Sequence, residues 1–212
     1  TIQSGTLFGA YMSPDRNTIT TNYFKDLTDS DGRNNNSDIM LLHEQKHRDN
    51  NNQGMYEYPV SPEQAYKLNM YDEISATTTE LIALRDEYIR TGDISVFDKA
   101  GFKFRFYKEA IEKGEINPRS NTKEDFDKDM RLIINGTKDM WIENFGQSAY
   151  TEQNSSNAYC YGDKTGKYAQ YYDQNYERGK KIALTIGGVD FTQYLDNDVE
   201  IPEAGRKQLR DD

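Results

Sequence analysis

Both histidines of this 212-residue chain lie in one short stretch, HEQKH, at His43 and His47, with Glu44 directly after the first. On an α-helix, side chains four residues apart share a face, so the two imidazoles can bind a single metal ion. Glu44 is rotated by about 100° around the helix, where it can hold a water whose pKa zinc lowers toward neutrality. The spacing therefore predicts zinc-assisted hydrolysis with Glu44 as general base.

The composition makes a chance occurrence of this motif less plausible. With only two histidines in 212 residues, a spacing of four with glutamate after the first arises in on the order of one random arrangement in a thousand. The run IMLL just before the motif makes the helix apolar around most of its circumference, as is typical of a buried helix. The plain alternative is a pair of exposed histidines on a charged helix end, beside Lys46, Arg48 and Asp49.

A catalytic zinc site needs a third protein ligand, and no histidine remains to supply it. The single cysteine, Cys160, lies far downstream, and we expect it to be a small core or loop residue. A carboxylate is therefore expected, and Glu73 in the segment MYDEISA is the leading candidate. Glu80, one heptad further on, is an alternative ligand or an outer partner that orients a histidine. Asp72 is a second alternative, which we expect to be turned away from the site.

Glu73 is favoured because it lies on an apolar stripe of its predicted helix. The stripe follows the i, i+3, i+4, i+7 spacing of one helical face and consists of Met70, Glu73, Ile74, Thr77, Leu81, Leu84 and Tyr88. A carboxylate that faces the protein interior needs a partner, and a metal ion is a suitable one.

With H-E-x-x-H on one helix, a polar loop and a glutamate on the next helix, the chain resembles a zincin metallopeptidase of the gluzincin kind. The resemblance implies that zinc is bound by His43, His47 and Glu73, that Glu44 is the general base, and that the substrate is a peptide or protein. It also implies a strand at the edge of the cleft that pairs with extended substrate. The segment NTITTNYF, residues 17–24, is the candidate for that strand.

The chain departs from the gluzincin pattern in two respects. The N-E-x-x-S-D context of the third ligand is absent, and no downstream histidine is left to stabilise the oxyanion. A tyrosine or an arginine would have to take that role, and the tyrosine-rich segment 159–176 offers Tyr161, Tyr168 and Tyr171.

Turn and capping signals predict the elements around the motif. Residues 5–24 favour two short extended segments around the turn SPDRN, and residues 25–36 favour a loop. A helix is predicted to begin at Ser37 or Asp38 and to run through the motif. A polar loop is expected over residues 49–60.

The following segment carries the strongest helix signals of the chain. Ser61 can cap a helix, Pro62 suits the first helical position, and Gln64 completes a capping box. We expect this helix to continue to Gly92, which suits the position after a helix end. Further helices are predicted at about 98–113, 122–145 and 167–184.

Charge and composition exclude several functional classes. A formal net charge of −10 argues against a sequence-independent nucleic-acid binder and against attraction to anionic membranes. The sequence has no run of about 18 apolar residues, so no membrane insertion is expected. Because the chain begins at Thr1, we expect that an initiator or leader segment has been removed.

These features predict an α+β protein: a single, mainly helical, zincin-like domain over residues 1–212 with a small N-terminal β-hairpin or sheet next to the motif helix. Residues 1–95 are expected to form the metal-site core and residues 96–212 the helical remainder. The expected function is zinc-dependent hydrolysis of peptide bonds. A non-catalytic metallopeptidase-like domain that binds a partner is the alternative, and hydrolysis of a non-peptide amide would use the same site.

Overall fold

The computed structural model describes residues 2–4, 10–12, 19–21, 37–145 and 162–201. This part is mainly helical with two small sheets, in agreement with the predicted α+β class, while the zincin-like identity stays a prediction. The α-helices are α1 (Ser37–Asn52), α2 (Pro62–Thr91), α3 (Arg105–Glu112), α4 (Lys123–Phe145) and α5 (Tyr172–Ala183). Short 3-10 helices span Ile94–Ala100, Ala169–Tyr171 and Phe191–Tyr194.

The N-terminal sheet consists of β1 (Ile2–Ser4), β2 (Ala10–Met12) and β3 (Ile19–Thr21). The strand order is β1-β3-β2, with β3 parallel to β1 and antiparallel to β2, and β2 and β3 pack against α1. The prediction that residues 17–24 form a strand that pairs with substrate is wrong for its described part, because residues 19–21 form β3, which is paired on both sides. The predicted turn SPDRN and the predicted loop over 25–36 lie outside the described residues.

The start and end of α2 follow the predicted capping chemistry. Ser61 Oγ accepts from the Gln64 backbone N–H at 3.1 Å, and Gln64 Oε1 accepts from the Ser61 N–H at 3.1 Å. The helix ends at Thr91 and is followed by Gly92, whose φ of 75° lies in the left-handed region that favours glycine. These local signals confirm the predicted bounds of the helix.

The middle of α2 is the centre of the fold, because it packs against α1, α4 and α5. It is buried on almost every side, and its largest buried side chains include Tyr71, Ile74 and Leu81. A hydroxyl contact links it to α4, where Thr78 Oγ1 lies 2.9 Å from Thr137 Oγ1. The helix is therefore not amphipathic in the way that the predicted stripe implied.

Two predicted boundaries are wrong for identifiable reasons. Helix α1 continues to Asn52 instead of giving way to a loop at 49, because Asn50 is fully buried and donates to α2. The single helix predicted at 98–113 is divided into a 3-10 helix and α3. The division lies at Gly101, whose φ of 63° does not occur within a right-handed helix.

The C-terminal part contains one element that was not predicted. After α5, which lies within the predicted helix 167–184, strands β4 (Thr185–Ile186) and β5 (Val189–Asp190) form a hairpin. Gly187 and Gly188 connect them with φ of 57° and 80°, as a two-residue hairpin turn requires. In the part of the chain that the structure describes, no helix is long and apolar enough to cross a membrane.

Candidate metal centre

The packing of α1 against α2 brings the motif and the predicted third ligand together. His43 and His47 lie on α1, one turn apart, and Glu73 lies on α2. Among the described residues, these three form the single group of histidine, cysteine or acidic side chains positioned to hold a metal ion. The candidate centre is thus built on two packed helices.

The three candidate ligand atoms form a nearly regular triangle. His43 Nε2 lies 3.1 Å from His47 Nε2, and Glu73 Oε2 lies 3.5 Å and 3.6 Å from these two nitrogens. In a tetrahedral site with bonds of about 2.0–2.1 Å, neighbouring ligand atoms are about 3.3–3.4 Å apart. The spacing therefore fits a small metal ion. Two imidazoles and a carboxylate suit several first-row ions, zinc among them.

The outer ring nitrogens face carboxylates. His43 Nδ1 lies 2.7 Å from Glu80 Oε1, and His47 Nδ1 lies 3.1 Å from Asp72 Oδ2. A carboxylate this close to Nδ1 favours a proton on that nitrogen by its charge and so leaves the Nε2 lone pair for a ligand, although the ring N–H of His43 is not aligned for a hydrogen bond with Glu80. In that tautomer the two Nε2 atoms and Glu73 Oε2 are close enough together to bind one cation.

Both outer carboxylates are held in turn by donors from other elements. Asp72 is 3% exposed and accepts from Asn50 Nδ2 at 2.7 Å and from the Tyr56 hydroxyl at 2.9 Å. Glu80 is 2% exposed and accepts from Lys103 Nζ at 3.1 Å and 3.0 Å on its two oxygens. Such partners are what buried carboxylates require.

The charges of the cluster are strongly coupled. Burial lowers the pKa of His47, but Asp72 and Glu73 raise it well above its usual value. The pKa of His43 is likewise raised, by Glu73 and Glu80 acting against burial. Desolvation opposes ionisation of Glu73, yet the two imidazoles hold the pKa of its carboxyl well below the usual range. Without a metal the imidazoles therefore retain protons, for which a metal ion must compete.

Glu44 differs from the other acidic residues of the centre because its carboxylate makes no hydrogen bond or ion pair with a described side chain. Its side chain is 8% exposed, and no side chain within 39–143 or 162–201 makes a hydrogen bond or ion pair with it. Burial raises its pKa, while His47 and His43 act to lower it. Glu44 is therefore a buried carboxylate close to the two histidines, with no described side-chain partner.

The structure changes the interpretation of the neighbouring acidic residues. Asp72 was expected to be turned away, but it is buried against His47, whereas Glu73, placed on the interior stripe, is 41% exposed. Glu80 stands at the position of an outer partner and not of a third ligand.

The candidates for oxyanion stabilisation receive no support from the contacts. Tyr168 and Tyr171 are 42% and 49% exposed, and no described hydrogen bond or ion pair joins either to the centre. Tyr161 lies outside the described residues, as does Cys160.

Three contributors to the centre were missed from the sequence. Asn50 lies three residues after His47 and so on the same helical face, a signal that could have identified it. Tyr56 follows in the connection between the helices. Lys103 comes from a separate segment, and no sequence pattern relates it to Glu80.

No family model matches the sequence, and no curated protein or solved structure matches the chain. The assignment of a function therefore depends on the residues and geometry of the centre.

Proposed function

We propose that this protein is a zinc-dependent hydrolase, a metallopeptidase in which His43, His47 and Glu73 hold the metal and Glu44 is the general base. The observation that carries the proposal is the triangle of two Nε2 atoms and Glu73 Oε2, with sides of 3.1–3.6 Å. The carboxylates close to both Nδ1 atoms support it, because their charge favours the tautomer that leaves each Nε2 free to bind a metal.

A bound zinc ion would supply Lewis-acid chemistry, polarising the substrate carbonyl and making water more acidic. Glu44 would accept a proton from the attacking water at its carboxylate and deliver it to the leaving amine nitrogen. Two features suit Glu44 to this role: its burial raises the pKa of the carboxyl toward the working range of a base, and no described partner occupies the carboxylate. His43 and His47 would remain neutral ligands throughout.

The test combines metal analysis with a matched pair of substitutions on α1. Glu44→Gln removes the proposed base, and Asp49→Asn makes the same chemical change at an exposed position five residues further along the helix. The wild type and both variants are assayed for bound zinc and for cleavage of a diverse peptide library by mass spectrometry. We expect about one zinc per chain in all three proteins, and a loss of cleavage of at least about 100-fold in Glu44→Gln alone.

Each contrary result has a distinct meaning. Cleavage that persists in Glu44→Gln excludes Glu44 as the base. Failure of the wild type to retain or rebind zinc excludes the metalloenzyme. Zinc binding without cleavage by the wild type supports the alternative of a non-catalytic metal-holding domain that binds a partner.

A further inference from the structure

Lys103 reaches the candidate centre from a turn that is anchored in the core. It lies between the 3-10 helix Ile94–Ala100 and α3, after the left-handed Gly101. Phe104, the next residue, is fully buried, whereas Phe102 before it is 71% exposed. The buried phenylalanine fixes the backbone at Lys103, so the direction of the lysine is set by the core.

The contacts of Lys103 connect this turn to a candidate ligand. Its Nζ donates to both oxygens of Glu80, at 3.1 Å and 3.0 Å, and Glu80 Oε1 is also the atom that lies 2.7 Å from His43 Nδ1. Glu80 is 2% exposed, whereas the Lys103 side chain is 32% exposed. A carboxylate so buried needs an opposite charge or several donors to remain in place, and in the described part of the chain Lys103 is the one lysine or arginine paired with it.

The two histidines therefore differ in how they are supported. The carboxylate behind His47 accepts from Asn50 and Tyr56, which lie on α1 and the connection that follows it. The carboxylate behind His43, that of Glu80, accepts from Lys103, which follows α2 in the sequence. Lys103 therefore belongs to the segment that was expected to be only a helical remainder. The carboxylate beside His43 is thus paired with a lysine 60 positions away from that histidine.

We propose that Lys103 is a positioning residue of the metal centre: it holds Glu80 against His43 Nδ1 and so keeps the Nε2 lone pair directed at the metal position. This proposal rests on the proposed metal site, but the tautomer of His43 tests it without any metal. Losing a partner of this outer kind typically weakens metal binding 10- to 100-fold. Because Lys103 acts through Glu80, we expect about tenfold.

The experiment uses the full chain and three substitutions. Lys103→Met removes the charge and the donors, and Lys103→Arg restores both. Lys99→Met is the matched control, because Lys99 makes the same kind of two-oxygen contact, at 2.8 Å and 2.9 Å, with Glu87 further along α2. Zinc affinity is measured by competition with a chelator. Long-range proton–nitrogen NMR spectra of the zinc-free proteins are recorded at a pH above the raised pKa values of both imidazoles, where they report which ring nitrogen of neutral His43 carries the proton.

We expect Lys103→Met to bind zinc about tenfold more weakly and to lose the confinement of the His43 proton to Nδ1. Lys103→Arg should recover both properties, and Lys99→Met should behave as the wild type. Thermal melting checks the folding of each variant, and Lys103→Gln replaces the methionine variant if that protein does not fold.

Three results would overturn the proposal: wild-type affinity and tautomer in Lys103→Met, no recovery in Lys103→Arg, or an equal loss in Lys99→Met. If the wild type itself binds no zinc, the proposed function fails. The tautomer of His43 in the zinc-free variants then decides the role of Lys103 separately.

Discussion

Replacement of Glu73 by glutamine tests the candidate centre most directly. Glu73 supplies one of the three candidate ligand atoms and the single negative charge of the triangle, at 3.5 Å and 3.6 Å from the imidazole nitrogens. Glutamine has nearly the same shape, so the change removes the charge with little effect on packing. Because removal of an outer partner already costs up to about 100-fold in metal affinity, loss of this direct ligand should cost at least that.

The expected effect on stability follows from mass action. At a free zinc concentration of about 100 times Kd, binding stabilises the wild type by about 2.7 kcal/mol, and a 100-fold weaker site leaves about 0.4 kcal/mol. For a chain of this length about 1 kcal/mol corresponds to about 2–4 °C in Tm. Zinc should therefore raise the Tm of the wild type by about 5–11 °C and that of Glu73→Gln by about 1 °C.

The assay is thermal unfolding in a zinc buffer, with each protein compared with itself in the absence of zinc. This comparison removes any change that the substitution causes in the metal-free protein. Glu63→Gln, an exposed position in the first turn of the same helix, is the control and should retain the full shift. An undiminished zinc shift in Glu73→Gln refutes the assignment of Glu73 as a ligand, and an equal loss in Glu63→Gln refutes its specificity.

Two further predictions concern the fold. Gly136→Ala should lower the free energy of unfolding in urea, because the added Cβ would lie 2.1 Å from the Phe106 ring. Overpacking costs about 1–3 kcal/mol against a helix-propensity gain of about 1 kcal/mol, so the net loss should be up to about 2 kcal/mol, and a variant more stable than the wild type would contradict this. Burial raises the pKa of Asp198, but hydrogen bonds from Tyr71 and Lys180 lower it to about 2, so its stabilisation is present above about pH 4 and is lost as the pH falls toward 2. After allowance for its 38% exposure, the wild type should lose about 1 kcal/mol more than Asp198→Asn between pH 5 and pH 2.5, and equal losses would refute the role of this carboxylate.

Features encoded within one segment could be predicted from the sequence. The caps of α2 depend on neighbouring residues, Ser61, Gln64 and Gly92, and the predicted bounds were confirmed. The shared face of His43 and His47 depends only on helical periodicity. Both features can be predicted without any knowledge of tertiary packing.

Features that depend on how the helices pack could not be predicted in the same way. The orientation of Asp72 follows from the rotation of α2 against α1, which no periodicity within α2 determines, because this helix is covered on almost every side. The contact of Lys103 with Glu80 depends on the turn at Gly101, and that turn was predicted to be helical. The central position of β3 depends on strand pairing across the sequence.

The burial of α2 also determines what a future set of related sequences could reveal. From residue 70 to residue 78 every side chain except that of Glu73 is buried, so packing alone would limit variation there over evolutionary time. If Asp72 did not vary among related sequences, packing alone would explain this, and it would not indicate a chemical role. Glu73 is 41% exposed and packing does not require it, so its retention among distant relatives would be a record of selection for the charge itself.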